Sequence, residues 1–238
     1  MMPGLALTGR LAVVTGGAGA IGSAICADLL SLGAQVIAAD LKEPLSPAVS
    51  ALVDLRDPDD IAAFCTNAGP VDILIHNAGV SILDSFVQSD PADWDLMWAV
   101  NLRAPMLLTK LLLPGMSARG WGRLIFISSD GAKAGSGGEG AYAATKAGLF
   151  GLARTLAREA ARDGITSNVV CPGPTDTPML RHVATDNPGL IDKLTKGIPL
   201  RRLGTPEDVA GLVAYLCTDR AAYITGQTLS VSGGITMQ

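Results

Sequence analysis

Hydrophobic positions along the chain fall into two alternating kinds of segment. Short, nearly unbroken apolar runs occur at 11–15 (LAVVT), 35–39 (QVIAA), 71–76 (VDILIH), 123–128 (RLIFIS), 166–171 (TSNVVC) and 228–231. Between them lie stretches of helical length at 21–32, 59–67, 91–113, 142–161 and 206–217. A strand wetted on one face alternates apolar and polar residues. These runs do not, so each predicts a strand covered on both faces. A further short strand is expected near 51–53. Strand–helix alternation implies βαβ units, right-handed crossovers and a parallel sheet. The expectation is one α/β domain over 1–238: a doubly wound sheet of about seven strands with helices on both faces.

One tract breaks the pattern. Residues 173–203 hold Pro174, Pro178, Pro188 and Pro199 and show no strand signal. An irregular insertion after a sheet strand reads as a lid over a ligand crevice, here about 174–203. Arg181, Lys193, Lys196, Arg201 and Arg202 make the tract net basic. That favours an anionic or CoA-linked substrate, unless the charges form only a solvated face.

Composition narrows the class. The 238 residues are 48% hydrophobic and 17% charged, enough apolar content to exclude a disordered chain. Net charge is −4, so there is no electrostatic footprint for nucleic acid and no polybasic run for an anionic membrane. The most apolar stretch, 106–113, is interrupted by Lys110 and closed by Pro114, short of the ~18 residues a span requires. Residues 1–10 lack the basic start and long apolar centre of a secretory signal. Cys26, Cys65, Cys171 and Cys217 are widely spaced, as in reduced, mostly buried thiols. His76 and His182 are too scattered for a metal centre, and no metal is expected. A cytoplasmic location is the expectation.

Candidate chemistry begins directly after the first strand. Thr15-Gly16-Gly17-Ala18-Gly19-Ala20-Ile21-Gly22 opens a helix, and glycines 17, 19 and 22 fit the G-x-G-x-x-G spacing of a dinucleotide-binding, Rossmann-type turn. Missing side chains let the backbone approach a pyrophosphate, and the helix N-terminus offers N–H groups and partial positive charge. Asp40, at the end of the second strand, would accept hydrogen bonds from the adenosine ribose and repel a 2′-phosphate. No Arg or Lys lies within the turn. NAD is therefore expected in preference to NADP.

Tyr142 and Lys146 stand at i and i+4, on one face of a predicted helix. A phenol near pKa ~10 is a poor base at neutral pH. An ammonium ~4 Å away at an effective dielectric of ~20 is worth about 4 kcal/mol, up to ~3 pK units. The expectation is that Lys146 brings Tyr142 near working pH. Ser129 lies at the carboxyl end of the 123–128 strand, where open α/β sheets bind ligands. Its hydroxyl could hold a substrate oxygen beside the phenol.

Together these motifs resemble the short-chain dehydrogenase/reductase family along essentially the whole chain. His76-Asn77-Ala78-Gly79 stands where that family has NNAG, and Asn101 lies within Val100-Asn101-Leu102. Pro172-Gly173 and Thr177 match its PG-x-x-x-T segment. The segments 198–210 and 224–234 resemble the 3-oxoacyl-reductase-like branch. The resemblance implies a catalytic tetrad of Asn101, Ser129, Tyr142 and Lys146, with Tyr142 moving the proton and Asn101 anchoring a relay water. It also implies cofactor contacts from Gly16, Gly19, Ala20, Ile21 and Gly22, from Asp40, Asp54 and Leu55, and from Asn77, Ala78 and Gly79. Tyr142, Lys146, Pro172, Gly173, Thr175 and Thr177 would contact the nicotinamide half. Ala20 departs from the usual glycine of the turn and His76 from the usual asparagine. The implied reaction interconverts a secondary alcohol (hydroxyacyl, cyclic or small hydroxy compound) and its ketone. NADP-dependent 3-oxoacyl reduction and a non-catalytic NAD-binding regulator are the alternatives. The small and apolar residues of 148–156 read as a core helix of a covered sheet; the resemblance adds a helix–helix dimer interface and implies a homotetramer.

Overall fold

In a computed structural model, which describes residues 3–43, 47–185 and 187–237, the strands form one seven-stranded parallel sheet in the order β3-β2-β1-β4-β5-β6-β7. The strands are β1 (Leu11–Thr15), β2 (Gln35–Asp40), β3 (Val49–Leu52), β4 (Ile73–His76), β5 (Gly122–Ile127), β6 (Ile165–Pro172) and β7 (Thr228–Val231). The order reverses between β1 and β4, the switch point where such sheets open a crevice at their carboxyl edge. Register is fixed through the centre by Val13↔Leu74 and Leu74↔Leu124.

Both faces of the sheet are buried, as the unbroken apolar runs require. Val13, Leu74, Leu124 and Phe126 point into one layer with α2 (Pro58–Asn67), α4 (Ala104–Arg119) and α6 (Gly140–Glu159). Ala12, Val14, Ile73 and Ile75 point into the other, against α1 (Ala20–Ser31) and α9 (Pro206–Cys217). Burying each large aliphatic side chain contributes roughly 1.5–3 kcal/mol, so these two layers fix the positions of the loops at the carboxyl edge.

Three expectations about the elements change. The helix expected over 91–113 is α3 (Pro91–Trp98), a π-helical turn (Ala99–Arg103) and then α4, which runs through Pro114 to Arg119. Pro114 is exposed, so the carbonyl it leaves without an N–H partner can face water. The continuous run Pro91–Arg119 has the length and composition of a membrane span, which no stretch was expected to reach. Half of its most apolar window is buried in this fold, as in a core helix. Finally, 174–203 is not irregular: it contains α7 (Pro178–Thr185) and α8 (Leu190–Gly197). Their apolar residues recur three and four apart (Met179, Leu180, Val183; Leu190, Leu194), a helical spacing masked by the prolines at their borders.

Candidate active site

The turn after β1 is built by glycines that no other residue could replace. Gly16 has φ +65°, and a Cβ on it would lie 2.8 Å from the Ala78 Cα. A Cβ on Gly22 would fall 2.1 Å from the Gly16 carbonyl oxygen. The loop after β4 locks onto this turn. Thr15 Oγ1 accepts from the Asn77 and Ala78 N–H groups, both at 3.1 Å, and Asn77 Nδ2 donates to the Thr15 and Gly16 carbonyls at 3.0 and 3.1 Å. Gly17 differs from its expected role: its Cβ would meet the Ala38 Cβ at 2.6 Å, so it seats the turn on β2.

These contacts wall a cavity of about 520 Å³, lined among others by Gly16, Gly19, Ala20, Ile21, Gly22, Asp40, Asp54, Leu55, Asn77, Ala78, Gly79 and Thr177. Helix α1 opens into it with no side-chain cap and no acidic residue in its first turn. That leaves a positively polarised N-terminus for an anion, the cradle a dinucleotide pyrophosphate requires. Asp40 lines the same cavity, its carboxylate accepting from the backbone N–H groups of Ala18 (3.0 Å) and Lys42 (3.2 Å). Arg56 also lines it, in a bidentate pair with Asp54 (Nε–Oδ1 2.9 Å, Nε–Oδ2 3.0 Å) that holds the Asp54 carboxyl below the usual range.

A second cavity of about 670 Å³ continues from the first and shares Ile21, Asn77, Gly79, Thr177 and Met179 as walls. Ser129, Tyr142, Lys146, Pro172, Gly173, Thr175 and Thr177 line it, brought together from the ends of β5 and β6 and the start of α6. Ser129 caps the short helix α5 (Asp130–Ala134), its Oγ accepting from the Gly131 N–H at 3.1 Å. Lys146 is 3% exposed and donates from Nζ to the Ile127 carbonyl at 2.9 Å. Its ammonium reaches past Gly79, whose Cβ would lie 2.9 Å from Nζ.

One expectation for this site is corrected. Lys146 does not make Tyr142 acidic. Its ammonium sits 5.9 Å from the phenol ring centroid, itself stripped of water and pushed down to about 8 by burial. The phenol is pushed up to about 12, by burial first and the Glu139 charge second, while hydrogen bonding to Ser129 pulls the other way. Desolvation outweighs any help from the lysine. Asn101, in turn, lines neither cavity. It is fully buried in the π-helical turn and clamps Val80, accepting its N–H at 2.8 Å and donating to its carbonyl at 2.9 Å. Its Nδ2 also donates to Thr145 Oγ1 at 3.1 Å.

The basic residues of 174–203 do not face the cavity either. Arg181 pairs with Asp176 (2.7 Å) and Arg202 with Asp208, which caps α9. What lines the cavity from this segment includes Met179, Leu180, Val183, Leu190 and Leu194. Sequence reasoning overlooked Glu139, the charged residue of the glycine-rich loop 135–140, which lines the cavity three residues before Tyr142.

A dinucleotide cradle joined to a Ser–Tyr–Lys pocket at the carboxyl edge of a doubly wound sheet defines a nicotinamide-dependent oxidoreductase acting on hydroxyl and keto groups. A family model described as enoyl-(acyl carrier protein) reductase, of the short-chain alcohol dehydrogenase type, matches residues 16–236. The chain belongs to the short-chain dehydrogenase/reductase family. It is 37% identical to the 3-oxoacyl-(acyl-carrier-protein) reductase of Escherichia coli strain K12, over 96% of this chain and 98% of that one. It is 36% identical to the acetoacetyl-CoA reductase of Cupriavidus necator, over 97% and 100%. Among solved structures, a provisionally assigned NAD(P)-dependent gluconate 5-dehydrogenase from Beutenbergia cavernae, with NADP bound at low occupancy, superposes with a TM-score of 0.90. It is 31% identical and covers 97% of this chain and 98% of its own.

Proposed function

We propose that the chain interconverts a secondary alcohol and its ketone with NAD, using Tyr142 as general acid and base. The observation that carries this reading is the continuity of the two cavities, which places Ser129, Tyr142 and Lys146 beside the cradle made by the glycine turn. When bound, the nicotinamide supplies or takes up the hydride and, oxidised, adds a positive charge beside the phenol. The protein supplies position and the proton. In reduction the neutral Tyr142 Oη–H donates to the ketone oxygen; in oxidation Oη takes the hydroxyl proton. Ser129 Oγ donates to the same substrate oxygen. Lys146 Nζ, beside Gly79, is placed for the nicotinamide ribose, and Asn101 is a positioning residue that holds Val80 and so the loop carrying Gly79.

Asp40 at the adenosine end supports NAD, because its carboxylate repels a 2′-phosphate. Gly16, Gly19, Ala20, Ile21 and Gly22 would hold the pyrophosphate, Asp54 and Leu55 the adenine, Asn77 to Gly79 the adenosine side, and Pro172, Gly173, Thr175 and Thr177 the nicotinamide. NADP-dependent 3-oxoacyl reduction, suggested by the names of the relatives, draws on Arg56 as a phosphate partner; the Asp54 carboxylate already occupies that guanidinium. Segment 174–203 acts as the lid. The exposed apolar Trp98, Met106 and Leu111 support assembly, which we take as a homotetramer. The protein works in the cytoplasm on a small alcohol or ketone, without nucleic acid or membrane.

Steady-state turnover of Tyr142→Phe over a panel of alcohols and ketones, with both cofactors, is the test. The variant loses at least about a hundredfold in kcat and binds NADH as the parent does. Substantial retained turnover points to another base, and binding without turnover in the parent to a regulator.

A further inference from the structure

The Glu139 side chain is half-buried, lines the substrate cavity, and has no hydrogen-bond or ion-pair partner among the described residues. Its Oε2 and the Ser129 Oγ both lie within 3.3 Å of a single point, the place where a Cβ on Gly131 would sit. That Cβ would fall 2.8 Å from Oε2 and 3.3 Å from the Ser129 Oγ, so the carboxylate and the catalytic hydroxyl stand close together on the wall of the same cavity. Gly131 does not need to be glycine for its backbone: it lies within α5 at no positive φ. A carboxylate only accepts hydrogen bonds, so one lining the substrate cavity beside the catalytic hydroxyl is placed to receive a donor from the substrate. From α7 and α8 the cavity is lined by Met179, Leu180, Val183, Leu190 and Leu194, while Arg181 there pairs with Asp176.

We propose that Glu139 is a specificity-determining residue that accepts a hydrogen bond from a second hydroxyl on the substrate. The substrate class is then an uncharged diol or polyol (and its hydroxyketone), with the second hydroxyl on the carbon next to the reacting one. A carboxylate at that position is rejected, because two anions would share one small space. This rests on the reading that Ser129 and Tyr142 hold the reacting oxygen.

The test uses three compounds on one four-carbon skeleton: 2,3-butanediol, 2-butanol and 3-hydroxybutyrate. For the parent, Glu139→Gln and Gly131→Ala, kcat/KM is measured with NAD, and binding to the NADH-loaded protein is followed by quenching of nicotinamide fluorescence. The parent prefers the diol to the mono-alcohol by at least about tenfold, the scale of one hydrogen bond to a charged group, and discriminates further against the hydroxy acid. Glu139→Gln narrows the diol-to-acid ratio by about tenfold or more in both readouts. Gly131→Ala, whose Cβ crowds the Glu139 carboxylate, lowers the diol-to-mono-alcohol preference. Unchanged ratios in both variants, or a parent that favours 3-hydroxybutyrate, overturn the assignment of Glu139. If instead Tyr142→Phe turns over the diol as the parent does, the underlying reading of the site is what fails.

Discussion

Lys146 holds its ammonium on the Ile127 carbonyl at 2.9 Å while the Tyr142 ring centroid stands 5.9 Å away. The lysine is thus anchored to the sheet edge, as part of the floor of the site, before any cofactor arrives. Burial depresses its pKa from 10.5 to about 8. Between those values the unfolded chain binds more protons than the folded one, so stability rises with pH across that window. The desolvation cost is on the order of 3 kcal/mol at pH 7, partly offset by about 1 from the hydrogen bond to Ile127. Lys146→Met should therefore be more stable than the parent by about 2 kcal/mol at pH 7. Denaturant titrations at pH 7 and pH 10.5 should show that advantage disappear; a constant gap would contradict the buried-ammonium picture.

His76 makes a second pH effect of the same sign, at lower pH. Its ring stacks on Phe126 at 4.6 Å and Nε2 bonds Thr109 Oγ1 at 2.9 Å, while Nδ1 is buried without a partner. Burial, then the Lys146 charge, push its pKa down from 6.5 to about 3. The unfolded histidine takes up a proton first, so stability is full above pH 6.5 and is lost as pH falls toward 3, by up to about 1.4 kcal/mol per unit. His76→Asn should flatten that acid limb in thermal melts recorded from pH 7 to pH 4. An unchanged slope would assign the acid loss elsewhere.

Cofactor choice should follow Asp40. Removing its carboxylate in Asp40→Ala takes away both the ribose partner and the repulsion of a 2′-phosphate. The ratio of dissociation constants for NADPH over NADH should fall at least about tenfold. A ratio that stays put would move the discrimination to Arg56.

Asn101→Ala strips partners from both the N–H and the carbonyl of Val80. Leaving such part-buried groups unpaired costs on the order of 1 kcal/mol each, and for a chain of this size each kilocalorie lowers Tm by roughly 2–4 °C. A fall of several degrees is expected together with a lower kcat. Loss of kcat with an unchanged Tm would instead give the side chain a direct part in the chemistry.

Much of this architecture could be read before folding because covalent constraints announce themselves. Gly16 and Gly22 occupy points where a Cβ collides with backbone, and the apolar runs of β1, β4 and β5 could only be strands buried on two faces. Helical spacing put Tyr142 and Lys146 on one face, and the resemblance to the family gave them their expected roles. What stayed hidden depends on three-dimensional neighbours. The sequence spacing placed Lys146 near the phenol but could not show that both groups lose water on folding, which reverses the expected shift. The prolines around 178 and 188 disguised two helices by standing at their borders. Glu139 carried no signal until the fold set it on the wall of the cavity beside Ser129. Pro114 read as a terminator because exposure, which lets water serve the orphan carbonyl, is not a property of the letter.

The five π-helical residues from Ala99 to Arg103 carry one residue more than an α-helical turn would accommodate. In a regular helix each residue advances the winding by about 100°, so this extra one rotates everything downstream relative to what precedes it. Asn101 is thereby aimed at Val80 and Thr145 while α3 and α4 keep separate buried faces. Deleting any one of the five would leave the same asparagine in the chain yet turn it out of register, and the strap beneath Gly79 would go slack. Length, as much as residue identity, is the inherited specification at this point of the chain.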